Sequence, residues 1–299
     1  MAPKKSFSEG LRKRLKSRAE RDETTSIDNT FRSSDHSVRF HEDIAHRTVV
    51  FRKIVDFPYF ANHHIHLREL FEAQGWENLL SLRQIQYTTL IKHFYTHFEY
   101  KDYKITSYVK DKFISLTLST LASILEVPRT TIQRYTTNSW MQFEGYNSLE
   151  SIRQMCGNLN IEEAYRPKIS KLTLESQLIH HIITHNILPR RGSYEYISYL
   201  DLFIICCILN KVKLDLAFYI RWHMGTCVKK KNGALPYGLH ITIILNHFEV
   251  NVNSEKETRK AIQTDVYGET TMKQMKFEFK NNTWVKKDAH VVEEMDEEA

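Results

Sequence analysis

Glycine is scarce in this chain, with nine among 299 residues. Nucleotide-binding α/β folds need glycine where backbone approaches phosphate, and all-β folds need it in their turns. Neither G-x-G-x-x-G nor the phosphate-loop pattern occurs, which argues against nucleoside-triphosphate chemistry. Cysteine is scarce too: Cys156, Cys206, Cys207 and Cys227 contain no C-x-x-C pair, so neither a secreted disulfide framework nor structural zinc is expected. Cys206 and Cys207 sit together in an apolar run and read as buried thiols. Long apolar stretches are also missing. The longest, Ile197 to Val212, is interrupted by Asp201 and Lys211 and falls short of a membrane span. The opening Met1-Ala2-Pro3-Lys4-Lys5 leads into charge rather than an apolar core, so no signal peptide is read there. Together these point to an intracellular protein, nuclear or cytoplasmic, with no membrane partner and no cofactor.

What is present suits a globular protein: 41% hydrophobic and 12% aromatic residues. A body of about 250 residues buries roughly 70–75% of its unfolded surface and needs no staple. The net charge of +6 conceals a polarity. Residues 1–21 hold Lys4, Lys5, Arg12, Lys13, Arg14, Lys16, Arg18 and Arg21 against Glu9 and Glu20, whereas residues 288–299 are acidic without lysine or arginine. The expected organisation is a disordered basic arm over 1–46, a mainly α single multi-helix domain over 47–285 with a small β-hairpin, and an acidic disordered tail over 286–299.

Within the body, Val49-Val50-Phe51 and Ile54-Val55 read as an extended segment. Apolar spacing predicts helices over 65–74, closed by Gly75, and over 87–98. The period then changes to a hairpin over 103–116, and Thr117 is placed to cap a helix ending before Pro128. A short helix is expected over 149–156, then strong helices over 174–187, 196–210 and 214–228. Pro236 fits the first turn of another over 237–248. A short helix at 271–275 and an aromatic strand through Phe277, Phe279 and Trp284 close the body. No internal repeat is apparent.

The order of Gln74-Gly75-Trp76, Ile114-Ser115-Leu116-Thr117, Leu125-Glu126-Val127-Pro128, Leu188-Pro189-Arg190, Ser198-Tyr199-Leu200-Asp201, Leu235-Pro236-Tyr237-Gly238, Asp265-Val266-Tyr267 and Trp284-Val285 resembles the putative plant transposon protein domain, found in retroelement-derived and envelope-like plant reading frames. The similarity spans roughly Val49 to Val285, with a more distant likeness to the plant mobile domain. It implies a retroelement-derived protein and supplies no catalytic residues.

His181 and His185, four apart on one helix, have zinc-ligand spacing, but the metalloprotease glutamate is replaced by Ile182, and histidines flanking an apolar stripe explain them. A strand-transfer enzyme needs three converging acids. Asp201 is the one acid lodged among apolar neighbours, and a structurally paired carboxylate is its simpler reading. No nucleophile elbow occurs. The thiols have no assignable histidine partner, and Cys227 before Lys229-Lys230-Lys231 reads as a buried thiol at a helix end. Nucleic-acid contact has the most support: Arg12, Lys13, Arg14 and Lys16 form a dense basic run, which also favours the nucleus, while Lys229, Lys230 and Lys231 form a second and Arg190-Arg191 a third. The reading is therefore a non-enzymatic interaction or nucleic-acid-associated module, with protein partners as a further expectation. Its rival is a degenerate enzyme with a cleft around Asp201, His181 and His185.

Overall fold

The computed structural model describes residues 30–190 and 195–287. The run Arg12–Lys16, Arg191 and residues 288–299 of the expected tail lie outside the described residues, while Lys286, placed in that tail by the sequence, belongs to the last strand.

Twelve helices and three small antiparallel sheets account for the described chain, which is mainly α as its sequence predicts. The body starts earlier than position 47. Helix α1 (Ser34–Glu42) is capped by the Ser33 side chain, and a 3-10 turn follows at Ile44–His46. The segment 34–46 lacks an apolar stripe, so sequence periodicity assigns it to the arm. It is held instead by aromatic stacking: Phe40 lies parallel to His93 at 4.9 Å and His36 sits 4.6 Å from His97.

The extended segment 49–55 threads between later parts of the chain. Val50 donates to the Leu235 carbonyl at 2.8 Å, Ile54 to Asp265 at 2.7 Å, and Tyr267 back to Ile54 at 2.8 Å. Short helices α2 (Phe57–Asn62), α3 (Leu67–Gln74) and α4 (Glu77–Ser81) follow. Gly75 closes α3 in the left-handed conformation, with φ 73°. Strand β1 (Gln86–Tyr87) runs into α5 (Thr88–Thr96).

The expected hairpin is a three-stranded sheet, β2 (Glu99–Lys101), β3 (Lys104–Val109) and β4 (Lys112–Leu116), in that order. Strand β2 is recruited because Asp102 and Tyr103 both take positive φ, giving the two-residue turn that right-twisted hairpins favour. The usual Asn-Gly signal is absent, which hides this turn from the sequence. Ile105, Ser107 and Val109 alternate into the core.

Helix α6 (Leu118–Ile124) carries the predicted Thr117 cap, whose hydroxyl accepts from the Thr120 amide at 3.0 Å. Then come α7 (Ser148–Cys156) and α8 (Leu174–Ile182), which widens into a π turn over Ile183–Ile187. Helix α9 (Tyr199–Leu209) packs against α3, α7 and α8. Helix α10 (Leu216–Val228) packs against α6 and the π turn, and α11 (Gly238–His247) against α5, α6 and β1. Pro236 precedes α11 rather than opening it, because Tyr237 is left-handed at φ 63°. Strand β5 (Thr258–Arg259) pairs with β1, and α12 (Glu269–Gln274) leads to the hairpin β6 (Phe277–Lys280)–β7 (Thr283–Lys286). Buried apolar side chains from Ile44 to Trp284 form one contiguous cluster.

Candidate functional site

The C-terminal end of α10 is where several sequence-predicted residues meet. A helix end leaves carbonyls without intrahelical partners. Here Arg47, only 3% exposed, reaches them from the far end of the sequence. Its Nη2 donates to the Cys227 carbonyl at 2.7 Å and its Nη1 to Val228 at 3.4 Å. Its Nε donates to the Gly233 carbonyl at 2.5 Å, pinning the loop after the helix. Lys229, Lys230 and Lys231 are all exposed on that pinned loop, where positive charge also suits the helix C-terminus.

Behind the loop lies a cavity of about 260 Å³ lined by Arg190, His223, Cys227, Lys230 and the 232–234 turn. Tyr237 Oη donates to the Ile187 carbonyl at 2.8 Å, so it accepts from His223 Nδ1 at 2.9 Å. That leaves His223 Nε2 as the acceptor facing Cys227 Sγ at 3.4 Å. Burial pushes His223 down to about 3, with Arg190 and Lys230 adding to the effect. Burial likewise pushes the Cys227 thiol up to about 11, against the pull of Lys230 and Arg47. The pair is thus a neutral thiol bonded to a neutral imidazole at pH 7. Cys227 is half-buried on the cavity wall rather than the buried thiol its sequence suggests, and it does have a histidine partner. The i, i+4 spacing of His223 and Cys227 within the predicted helix was the signal for it.

Asp201 is fully buried near the start of α9, where its amide is capped by Ser198 Oγ at 3.1 Å. Its Oδ2 meets His180 Nε2 at 3.3 Å and also the Arg190 guanidinium. Burial alone would raise this carboxyl, but the His180 hydrogen bond and the Arg190 charge overcome that and hold it at about 2. His181 and His185 turn elsewhere. Their rings stack at 3.9 Å, and His181 Nδ1 meets Tyr267 Oη at 2.9 Å. They line a separate cavity of about 470 Å³ with His180, Gln177 and Lys276 and without a carboxylate. Asp201, His181 and His185 therefore do not converge in one cleft. Among the described residues, no three His, Cys, Asp or Glu side chains are grouped to hold a metal ion.

Fold and site together define a mainly helical protein with short antiparallel sheets and a basic loop anchored at a helix end. No described helix is long and apolar enough to cross a membrane. The chain belongs to the family described as "Putative plant retrotransposon-related domain", which it matches over residues 72–251, more than half its length. A search of curated proteins and a search of solved structures each found no match.

Proposed function

We propose that this retroelement-family protein is a non-enzymatic module that associates with nucleic acid through its basic loop and its N-terminal basic run. The observation that carries the reading is the Arg47 clamp, which holds Lys229, Lys230 and Lys231 exposed on a fixed loop. Fixed lysines lose less freedom on meeting phosphate than lysines on a loose chain. The run Arg12, Lys13, Arg14 and Lys16 joins the described body at Thr30. From there α1, nine residues or about 14 Å long, leads to Arg47.

Fluorescence anisotropy over a salt series, with the full chain and labelled duplex and single strands, tests this. If about six phosphates are engaged, the log–log slope on duplex lies near −5. Replacing Lys229, Lys230 and Lys231 by Gln flattens it by about 2 to 3, and neutralising Arg12, Lys13, Arg14 and Lys16 flattens it further. Absence of binding at low salt refutes the reading and turns the search to protein partners.

A further inference from the structure

Helix α10 carries an aromatic and cationic stripe on its outer face. At 100° per residue, Phe218, Trp222, Gly225 and Lys229 fall within a sector of about 60°, running about 17 Å along the axis, with the buried Arg221 at its edge. Phe218 and Trp222 are only partly buried, and a Cβ placed on Gly225 would meet nothing within 4 Å. The stripe is widened on both sides by aromatics from other elements. Tyr135 stacks on Trp222 at 4.9 Å and is 53% exposed. On the other side the Arg221 guanidinium lies 5.4 Å over the Tyr100 ring and donates to the Tyr103 carbonyl at 3.1 Å. Tyr103 stands at the tip of the β2–β3 turn and is 80% exposed.

Tyr135 and Trp222 are held rather than loose. The loop bearing Tyr135 is fastened to the start of α10, since Arg129 Nε and Gln133 Nε2 reach Asp215 Oδ2 at 2.6 and 2.9 Å. Tyr219 Oη donates to the Arg134 carbonyl at 2.7 Å. Stapling that loop explains Tyr135 on Trp222. It does not explain Tyr103, which projects from its turn into solvent. Lys101 and Lys104 flank Tyr103 in the sequence, Arg134 precedes Tyr135 and Lys229 ends the helix, all four exposed, beside the exposed acids Asp102 and Glu99; Arg221 is buried beneath Tyr100. Asp215 is buried and already neutralised by Arg129.

Exposed aromatics on a fixed scaffold, interleaved with cations, are what unpaired bases need: a ring to stack on and charge for the backbone. In a duplex the base faces are covered by their neighbours, so the rings gain nothing there. We infer that the α10 stripe is a stacking platform for single-stranded nucleic acid, with Trp222 and Tyr103 as its principal rings. This rests on the nucleic-acid reading above and adds to it the strandedness of the ligand and an aromatic surface that adjoins the lysine loop at Lys229.

The test uses the full chain and three ligands of equal length: a roughly 12-nucleotide thymidine strand, an abasic strand, and a duplex. The thymidine strand is expected to bind about tenfold more tightly than the abasic strand. Tyr103→Ala and Trp222→Leu should each weaken thymidine-strand binding about five- to tenfold while leaving abasic-strand and duplex affinity unchanged. Tyr103 is too exposed for its loss to unfold the protein, so that variant reads the ring alone. Equal affinity for thymidine and abasic strands, or indifference to both substitutions, overturns the platform while leaving a salt-dependent basic contact standing. Failure of the chain to bind any of the three ligands overturns both.

Discussion

Acid should destabilise this protein well before its carboxylates titrate, because three histidines are buried in their neutral form. His97, His223 and His240 are 4%, 8% and 2% exposed. Burial is the main cause in each case. It lowers His97 to about 4, with help from His36, His93 and Arg32 against a hydrogen bond to the His93 backbone. It lowers His223 to about 3, beside Arg190 and Lys230, and His240 to about 3, beside Arg52. His240 Nδ1 has no hydrogen-bond partner to favour a charge. A folded pKa below the unfolded value of about 6.5 means the unfolded chain binds the proton first. The stabilisation is therefore whole above about pH 6.5 and drains away as pH falls toward the folded values. Between pH 7 and 5 each group contributes a loss of about 2 kcal/mol, and the three together about 6. That is comparable with the whole stability of an ordinary domain, about 5–15 kcal/mol. Urea unfolding followed by tryptophan fluorescence at pH 7, 6 and 5 reads this directly. With a slope near 3 kcal/mol per molar, the midpoint should drop by about 2 M over that range. His240→Gln removes one titrating site and should cut the pH dependence by about a quarter to a third, since burial also lowers His181 to about 3, whatever it does to the stability at pH 7. A midpoint constant from pH 7 to 5, or an undiminished pH dependence in His240→Gln, refutes the reasoning.

Two further outcomes concern single residues. Gln74 is fully buried, donates to the Val212 carbonyl at 2.7 Å and accepts from the Leu214 amide at 3.0 Å, so Gln74→Leu strands two backbone groups. It should destabilise by about 2–5 kcal/mol, visible as a lower thermal midpoint. Gly75→Ala places a Cβ 2.8 Å from Pro128 Cδ at a left-handed φ of 73° and should lose about 2–4 kcal/mol. Gly145→Ala, at φ 79° with nothing within 4 Å, should lose only about 1 kcal/mol, and equal losses would show that packing against Pro128 contributes nothing.

Apolar spacing located the helices well because most of them bury a stripe, and Gly75 and Thr117 announced their caps in the residues themselves. Failures have physical causes of another kind. Helix α1 buries no residue fully and is held by rings of α5. The turn at Asp102-Tyr103 takes its conformation without the glycine that would reveal it. At the site, the sequence singled out the lysines and Asp201. It could not reveal that Asp201 pairs with His180 rather than lying near His181 or His185, since adjacent residues on a helix point about 100° apart and only the packing of α9 decides between them. Arg47 and Lys230 are far apart in sequence, and no local pattern records that an arginine will cap a helix end so distant.

That last point bears on the scarcity of glycine. Few glycines did favour helices, yet the described residues still include twelve non-glycine positions at positive φ, against three glycines there. Lys211 after α9 and Tyr237 before α11 are among the twelve. Each is strained by about 1 kcal/mol relative to glycine. The compensation is tertiary: Gln74 accepts the Leu214 amide and donates to Val212 just beyond Lys211, and the Tyr237 ring is locked by His223 and Ile187. Gly75 and Gly157 still end α3 and α7 locally; at Lys211 the Val212 amide donates back to Cys207, and Gln74 adds a tertiary tie there. The end of α10 differs, because its carbonyls and the lysine loop are held by Arg47 from far away in the sequence. A site built on such an end forms together with the fold, which is why the basic loop depends on Arg47 and cannot be read as an independent tail.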